Sequence, residues 1–383
     1  MSEVLLPTLR GTVEKYRLGR HPAVTPPAAA PRSRVAYAAA HIVADPLGDP
    51  VGASAVDWDT TLAFRRHLWA MGLGVAEAMD TAQRGMGLEI DNVRRLITLT
   101  LREAAAEGGT VACGITTDEL SGPGHSLDAI VASYLDQLGF VEGQGGSAVM
   151  MASRALAAAA GGPDDYADVY GRVLSDAGRP VIIHWLGPMF DPALDGYWGS
   201  DDPWVAMQAL VGITRDHSAQ VDGVKISMLD EDLEVEFRRS LPVGVRCYTG
   251  DDFNFPTLIA GDEMGHSDAL LGIFDAIAPV AVAALHALDV GDADEYERLL
   301  APTLPLSRHI FQTPTYHYKT GLTFLAYLVG HQNHFRMVGG QEGFRSITHL
   351  AELTRLADVA GLLPDPDQVA RRLTPVLAAA GIG

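Results

Sequence analysis

Residues 221–279 read VDGVKISMLDEDLEVEFRRSLPVGVRCYTGDDFNFPTLIAGDEMGHSDALLGIFDAIAP. Three short apolar runs stand out in this stretch: VDGVKIS at 221–227, VGVRCYT at 243–249 and DALLGI at 268–273. Each has the length and apolar character of a buried strand, and polar or turn-forming residues separate them. Toward the N-terminus similar runs recur as VAYAAAHI (35–42), LGVAEAM (73–79), TVACGI (110–115), SAVMMA (147–152) and PVIIHW (180–185). Eight candidate strands are the number a closed barrel requires. The strand–helix alternation calls for a parallel sheet with helices outside it, so the expected fold is α/β, a (β/α)₈ TIM barrel.

The intervening segments read as helices. DWDTTLAFRRHLWAM (57–71) opens on Asp57, a good N-cap, and places Leu62, Phe64, Leu68 and Met71 near one face. DNVRRLITLTLREAAAEGG (91–109) stops on paired glycines, and DYADVYGRVLSDAGRP (165–180) runs through Gly178 into the next strand. From about residue 275 only helical patterns follow. These features divide the chain into an extended lead-in (1–33) with the proline-rich VTPPAAAPRS at its end, a barrel (34–275), and a C-terminal helical extension (276–383).

Composition narrows the function classes. Asp and Glu outnumber Lys and Arg by 48 to 28, a formal charge of -20, which repels nucleic acid from most of the surface. Cys113 and Cys247 are far apart and lack any Cys-x-x-Cys spacing, which argues against a disulfide scaffold and a thiolate zinc site and fits a reducing cytoplasm. No apolar stretch approaches the roughly 20 residues needed to span a bilayer, so no membrane partner is expected. GQGGSA (143–148) precedes a strand where a nucleotide loop would follow one, and no Gly-x-Ser-x-Gly elbow occurs.

In a barrel the reactive groups sit at the C-terminal ends of the strands. That rule selects His41 and Asp45, then Asp80, Thr81 and Arg84, then Thr117 and Asp118, Ser153 and Arg154, His184, Lys225, and finally Thr249, Asp251, Asp252 and Asn254. Lys225 is the most informative. Alternation puts Val221, Gly223 and Lys225 on one face of the sixth strand. Burial there would lower its pKa and supply a free amine able to attack a carbonyl. The competing reading is a strand-end lysine paired with Asp222, Asp230 or Glu231.

The segment DGVKIS, followed by CYTGDDFNFPTLIAGDEMGHSDALLGIFDAIAP, resembles the dihydrodipicolinate synthase and N-acetylneuraminate lyase superfamily. In that group a sixth-strand lysine in a Gly-[Ile/Val]-Lys segment forms a Schiff base, and a Gly-Asp-Asp turn follows strand seven. The resemblance spans roughly residues 34–335 and is strongest at Lys225 and Gly250–Asp252. It implies a lyase, an aldolase or a hydro-lyase, acting on a small 2-oxo acid or oxidised sugar derivative with no cofactor, and a homo-oligomer.

Two departures bear on the substrate. The superfamily's Gly-[Ser/Thr]-Thr-Gly-Glu turn after strand two is replaced by MDTAQRG (79–85), where Asp80, Thr81 and Arg84 are the candidate substrate contacts. Arg84 would grip an acid group bidentately, or else be a surface residue before the next helix. The superfamily's proton-relaying tyrosine at the end of strand five gives way to IIHWLGP (182–188), with His184 in its approximate place as an acid and base. Gly250 and Asp252 would shape the strand-seven wall.

Two further readings remain open: a divalent-metal isomerase or epimerase using His184 with Glu77, Asp80, Asp118 or Asp252, and a non-catalytic sugar- or acid-binding barrel. GHQNHFRMVGG (330–340) places His331 and His334 at i, i+3 without an accompanying carboxylate, which suits a lid or a helix end better than a metal site. Tyr316, His317 and Tyr318 pose the same question.

Overall fold

The computed structural model describes residues 3–27, 29–52 and 54–382; Met1, Ser2 and Ala28 of the expected lead-in, and Gly383 of the extension, lie outside them. Among the described residues ten strands form: β1 (Glu3–Pro7), β2 (Val13–Arg17), β3 (Ala36–Ala39), β4 (Gly74–Glu77), β5 (Val111–Ile115), β6 (Ser147–Met150), β7 (Val181–Leu186), β8 (Val221–Ser227), β9 (Arg246–Thr249) and β10 (Asp268–Leu271). Strands β3 to β10 are the eight expected from the sequence. They pair in parallel, in chain order, and close when β10 pairs with β3, so the fold is a (β/α)₈ TIM barrel with a C-terminal helical extension.

Local chemistry sets the helix limits. Asp57 caps the helix Trp58–Ala70 by accepting the Thr60 amide at 3.0 Å. Gly108, at φ 71°, ends the helix Ile90–Glu107 in the left-handed conformation that glycine adopts without penalty. The barrel interior is filled mainly by small residues on β3, β4 and β5 (Ala39, Ala76, Ala112) facing larger ones on β7, β9 and β10 (Ile182, Tyr248, Leu270). The opposite faces, such as Ile183 and Trp185 on β7 and Val224 and Ile226 on β8, pack against the helices.

One register detail corrects the alternation inferred for β8. Val181 pairs with Val221, but the next residue, Ile182, pairs with Gly223. The extra residue is Asp222, a bulge that turns Val221 into the outer core while Lys225 stays on the inner face, opposite His184 and Tyr248. Asp222 itself is held at the N-terminal rim by Arg246 at 2.6 Å and the Tyr248 hydroxyl at 2.6 Å.

The ends of the chain also depart from expectation. Within the lead-in, β1 and β2 form an antiparallel hairpin whose Val4 and Leu6 are buried. Tyr16 donates to Asp358 at 2.8 Å and Arg355 donates to the Pro7 carbonyl at 3.0 Å, so the hairpin is stitched to the C-terminal helix Ile347–Val359. The expected boundary at 275 falls inside the helix Phe274–Asp289, which follows β10 directly and packs on β3 as the eighth barrel helix. No helix among the described residues is long and apolar enough to cross a membrane.

Candidate active site

Lys225 points into the barrel near the C-terminal end of β8 and is only 7% exposed. Its amine makes no ion pair with Asp222, Asp230 or Glu231 among the described residues. Asp222 is taken by Arg246, and Asp230 caps the helix Glu231–Ser240. Burial lowers the Lys225 pKa, partly opposed by the charges of Asp80 and Asp252. The result is a lysine held closer to its neutral, nucleophilic form.

Gly250 is what lets the chain approach that amine. A Cβ at position 250 would lie 2.7 Å from Lys225 Cε and 2.1 Å from Ser227 Oγ. The Gly-Asp-Asp turn continues with Asp251, whose carboxylate accepts the Phe253 and Asn254 amides and shapes the turn. Asp252 is different. One oxygen accepts the Ile273 amide at 2.8 Å, and burial raises the carboxyl's pKa against the nearby Lys225 charge. Lys225 and Asp252 thus each shift toward their neutral forms.

The strand-two turn supplies the opposite wall. Ala78 (φ 54°) and Gln83 (φ 60°) are left-handed non-glycine residues that bracket the single 3₁₀ turn Asp80–Ala82, and they store roughly 1–2 kcal/mol of strain apiece. Asp80 faces Lys225 from this turn. Thr81 Oγ1 lies 2.8 Å from the hydroxyl of Tyr318, which opens the helix Tyr318–Val329 of the C-terminal extension. Met79, Asp80, Thr81, Lys225, Ser227, Gly250, Asp252 and Tyr318 line one small pocket of about 10 Å³, closed by Leu186 and Phe190. Tyr318 is a pocket-lining side chain that strand-end reasoning could not place. Its neighbour Lys319, also buried, donates to the Tyr316 carbonyl, sits 4.4 Å from the Tyr318 ring, and has its pKa lowered to about 8, chiefly by burial.

His184 lies beneath this pocket, not on its wall. It is fully buried opposite Lys225; Nε2 is 3.1 Å from Ser227 Oγ and Nδ1 has no partner. Burial, reinforced by the Lys225 charge, holds its pKa well below the ordinary histidine value. Its connection to the pocket runs through the Ser227 hydroxyl.

The open acid grip expected of Arg84 is absent. Its Nε and Nη2 bind both oxygens of Asp118 at 2.8 Å, Nη2 also reaches Gln137 and Nη1 reaches the Gly114 carbonyl at 2.5 Å, so every arm of the guanidinium is engaged. The residues considered for a metal are likewise dispersed. Glu77 faces the helices in a two-bond pair with Arg65 at 2.9 Å. His331 packs on His67 and Phe64, while His334 accepts the Arg336 amide. Among the described residues no three His, Cys, Asp or Glu side chains form a group able to hold a metal ion.

These features define a class: a closed parallel barrel whose sixth strand carries a buried lysine with no ion-pair partner among the described residues. Comparison with solved structures agrees on the fold. A monomeric dihydrodipicolinate synthase variant matches with a TM-score of 0.65 at 13% identity, over 86% of this chain and 98% of that one. The dihydrodipicolinate synthase of Thermotoga maritima matches at 0.63 and 14%, over 87% and 100%. That of Aquifex aeolicus matches at 0.60 and 12%, over 91% and 98%. The chain belongs to the family described as Protein of unknown function (DUF993), whose model matches residues 4–382. A search of curated proteins finds no match.

Proposed function

We propose that the protein is a Schiff-base-forming lyase, an aldolase or hydro-lyase, acting on a 2-oxo acid or related oxo compound. The observation that carries this reading is the Lys225 amine: inward-facing, buried, free of any ion pair among the described residues, and set in a polar pocket at the strand ends. The neutral amine attacks the substrate carbonyl carbon, and the carbonyl oxygen leaves as water with two protons, one of them from nitrogen. In an aldolase the protonated imine takes up the electron pair of the adjacent C–C bond while a base removes the proton of the neighbouring hydroxyl, so a carbonyl fragment leaves and an enamine remains. In a hydro-lyase it takes up the pair of an adjacent C–H bond, the proton passing to a base, and the enamine then expels the neighbouring hydroxyl, which leaves as water with a returned proton. Tyr318, fixed by Thr81, holds a proton on one side of the pocket, and Asp80 and Asp252 lie on the others. His184 acts through Ser227. The cycle as drawn uses no cofactor. The fold shared with proteins named dihydrodipicolinate synthases supports the same reading.

The test is borohydride reduction in the presence of 2-oxo acids, followed by mass spectrometry of the peptide containing Lys225. The expected result is an adduct on Lys225 that is absent from Lys225→Ala. Unimpaired turnover in Lys225→Ala, with no adduct from any oxo compound, would exclude the mechanism. We also propose a homo-oligomer, as the superfamily resemblance implies, and a cytoplasmic location, as the two widely spaced cysteines suggest. Light scattering tests the assembly, and a monomeric variant exists on this fold.

A further inference from the structure

We infer that the substrate of Lys225 carries a second anionic group at its far end, and that Arg154 holds that group in a cleft beside the Lys225 pocket. This rests on the Schiff-base reading for the position of the carbonyl. The first argument is size. The Lys225 pocket, at about 10 Å³, has room for a single water, whereas the neighbouring cleft offers about 520 Å³. The two share only Asp80 and Leu186. A substrate whose carbonyl passes that partition has the cleft in which to place the rest of its atoms.

The second argument is charge. Two arginines and three aspartates, Asp80, Asp118 and Asp191, line the cleft; Asp118 occupies the fork of Arg84, so Arg154 is the cation whose fork is only partly filled. Arg154 donates only Nε, to Asp191 at 2.6 Å, so Nη1 and Nη2 carry no hydrogen bond among the described residues. Nη1 reaches within 4.0 Å of where a Cβ on Gly85 would lie, which puts the guanidinium across the cleft from the end of β6 to the strand-two turn. Asp191 fixes the plane while the other edge of the fork stays open, the geometry that suits a carboxylate or phosphate.

The third argument is the cleft's middle. Leu120, Met151, Ala155, Leu186 and Leu194 form an apolar stretch, the hydroxyls of Thr116 and Thr117 are engaged by the Ala152 carbonyl and Ser153 Oγ, and the carboxylates of Asp118 and Asp191 bind Arg84 and Arg154. A polyhydroxylated chain would leave its hydroxyls poorly paired there. Between the two substrate types open at the outset, the cleft selects a 2-oxo acid with an aliphatic or ring spacer and a terminal acid over an oxidised sugar.

Borohydride trapping at Lys225 with four probes tests this: 2-oxohexanoate, 2-oxoadipate, a 2-oxo acid ending in phosphonate, and a 3-deoxy sugar acid bearing a 2-oxo group. The wild type should half-saturate with one of the doubly anionic probes at no more than about a tenth of the 2-oxohexanoate concentration, and Arg154→Gln should bring that ratio close to one. Which anionic probe wins tells carboxylate from phosphate. A wild-type ratio near one, a preference that survives Arg154→Gln, or tightest binding of the hydroxylated probe would overturn the inference. Because the Arg154 side chain is 58% exposed, the substitution leaves the core intact. No trapping with any probe would count against the Schiff base alone. In that case calorimetry of adipate against hexanoate still decides: Arg154→Gln should weaken adipate at least about fivefold, and equal affinities in the two proteins would refute the role of Arg154.

Discussion

Glu234 offers a test that links the stability of the barrel to its active-site wall. It lies on the helix Glu231–Ser240, fully buried, and accepts hydrogen bonds from Thr249 Oγ1 at 3.0 Å and Ser267 Oγ at 2.7 Å. It thereby ties down the last residue of β9, just ahead of Gly250, and the residue before β10. Burial pushes its pKa up from 4.5 to about 8. A carboxyl whose folded pKa lies above its unfolded one favours folding fully below about pH 4.5, and that contribution is lost as pH rises through about 8. Over the whole interval the loss is on the order of 5 kcal/mol. Glu234→Gln keeps the shape and a donor of the protonated acid but cannot ionise. Urea unfolding followed by tryptophan fluorescence between about pH 5 and pH 9 should show the wild type losing several kcal/mol relative to the variant, which becomes the more stable protein at the alkaline end. A wild-type-minus-variant difference that stays constant within ~1 kcal/mol across that range would refute the assignment of a neutral, buried Glu234.

Two further outcomes concern the site itself. Gly250→Ala forces a Cβ to within 3.0 Å of the Ile226 carbonyl as well as against Lys225 Cε, so it should cost about 1–3 kcal/mol in stability and lower the yield of borohydride adduct. A fully active, equally stable variant would show that the close approach is unimportant. Tyr318→Phe removes the phenol next to Thr81 and should leave the Lys225 adduct detectable while turnover falls by about 100-fold or more; unchanged turnover would remove Tyr318 from the proton path.

How much of this was legible in the sequence follows from geometry. Parallel barrel strands are buried on both faces, so all eight appear as near-continuous apolar runs, and a lysine inside one of them is conspicuous. The bulge at Asp222 left no comparable mark, because one extra residue changes side-chain facing without changing composition. The hairpin was hidden because β2, VEKYR, is largely exposed and carries no apolar run. Nor can a sequence show which arginine has its fork filled. Arg84 and Asp118 were two separate candidates until the fold brought them to 2.8 Å, leaving Arg154 with the open edge. Tyr318 and Lys319 arrive from the C-terminal extension, outside the strand ends that the barrel rule searches. Their one signal is a run of polar residues, TYHYKTG (315–321), ahead of an apolar helix.

His184 shows how the surroundings decide what a residue type can do. A histidine at the end of strand five suggests a group titrating near neutrality, yet this one is sealed from solvent beside a lysine and its pKa is held well below the ordinary value. It stays neutral at physiological pH. With Nδ1 unpartnered and Nε2 against Ser227 Oγ, the less costly tautomer carries its proton on Nε2, because an orphaned acceptor is better tolerated than an orphaned donor. The imidazole then donates to Ser227 and turns the serine hydroxyl's own proton toward the Lys225 pocket. On this account His184 orients Ser227 and adds no charge beside the amine. Glutamine can donate the same hydrogen bond without titrating, whereas phenylalanine cannot. His184→Gln should therefore retain turnover within about tenfold, and His184→Phe should lose on the order of 100-fold, with the pH profile of turnover unchanged in shape for the glutamine variant. Equal, severe losses in both variants would instead mean that the imidazole itself gains and loses a proton during the reaction.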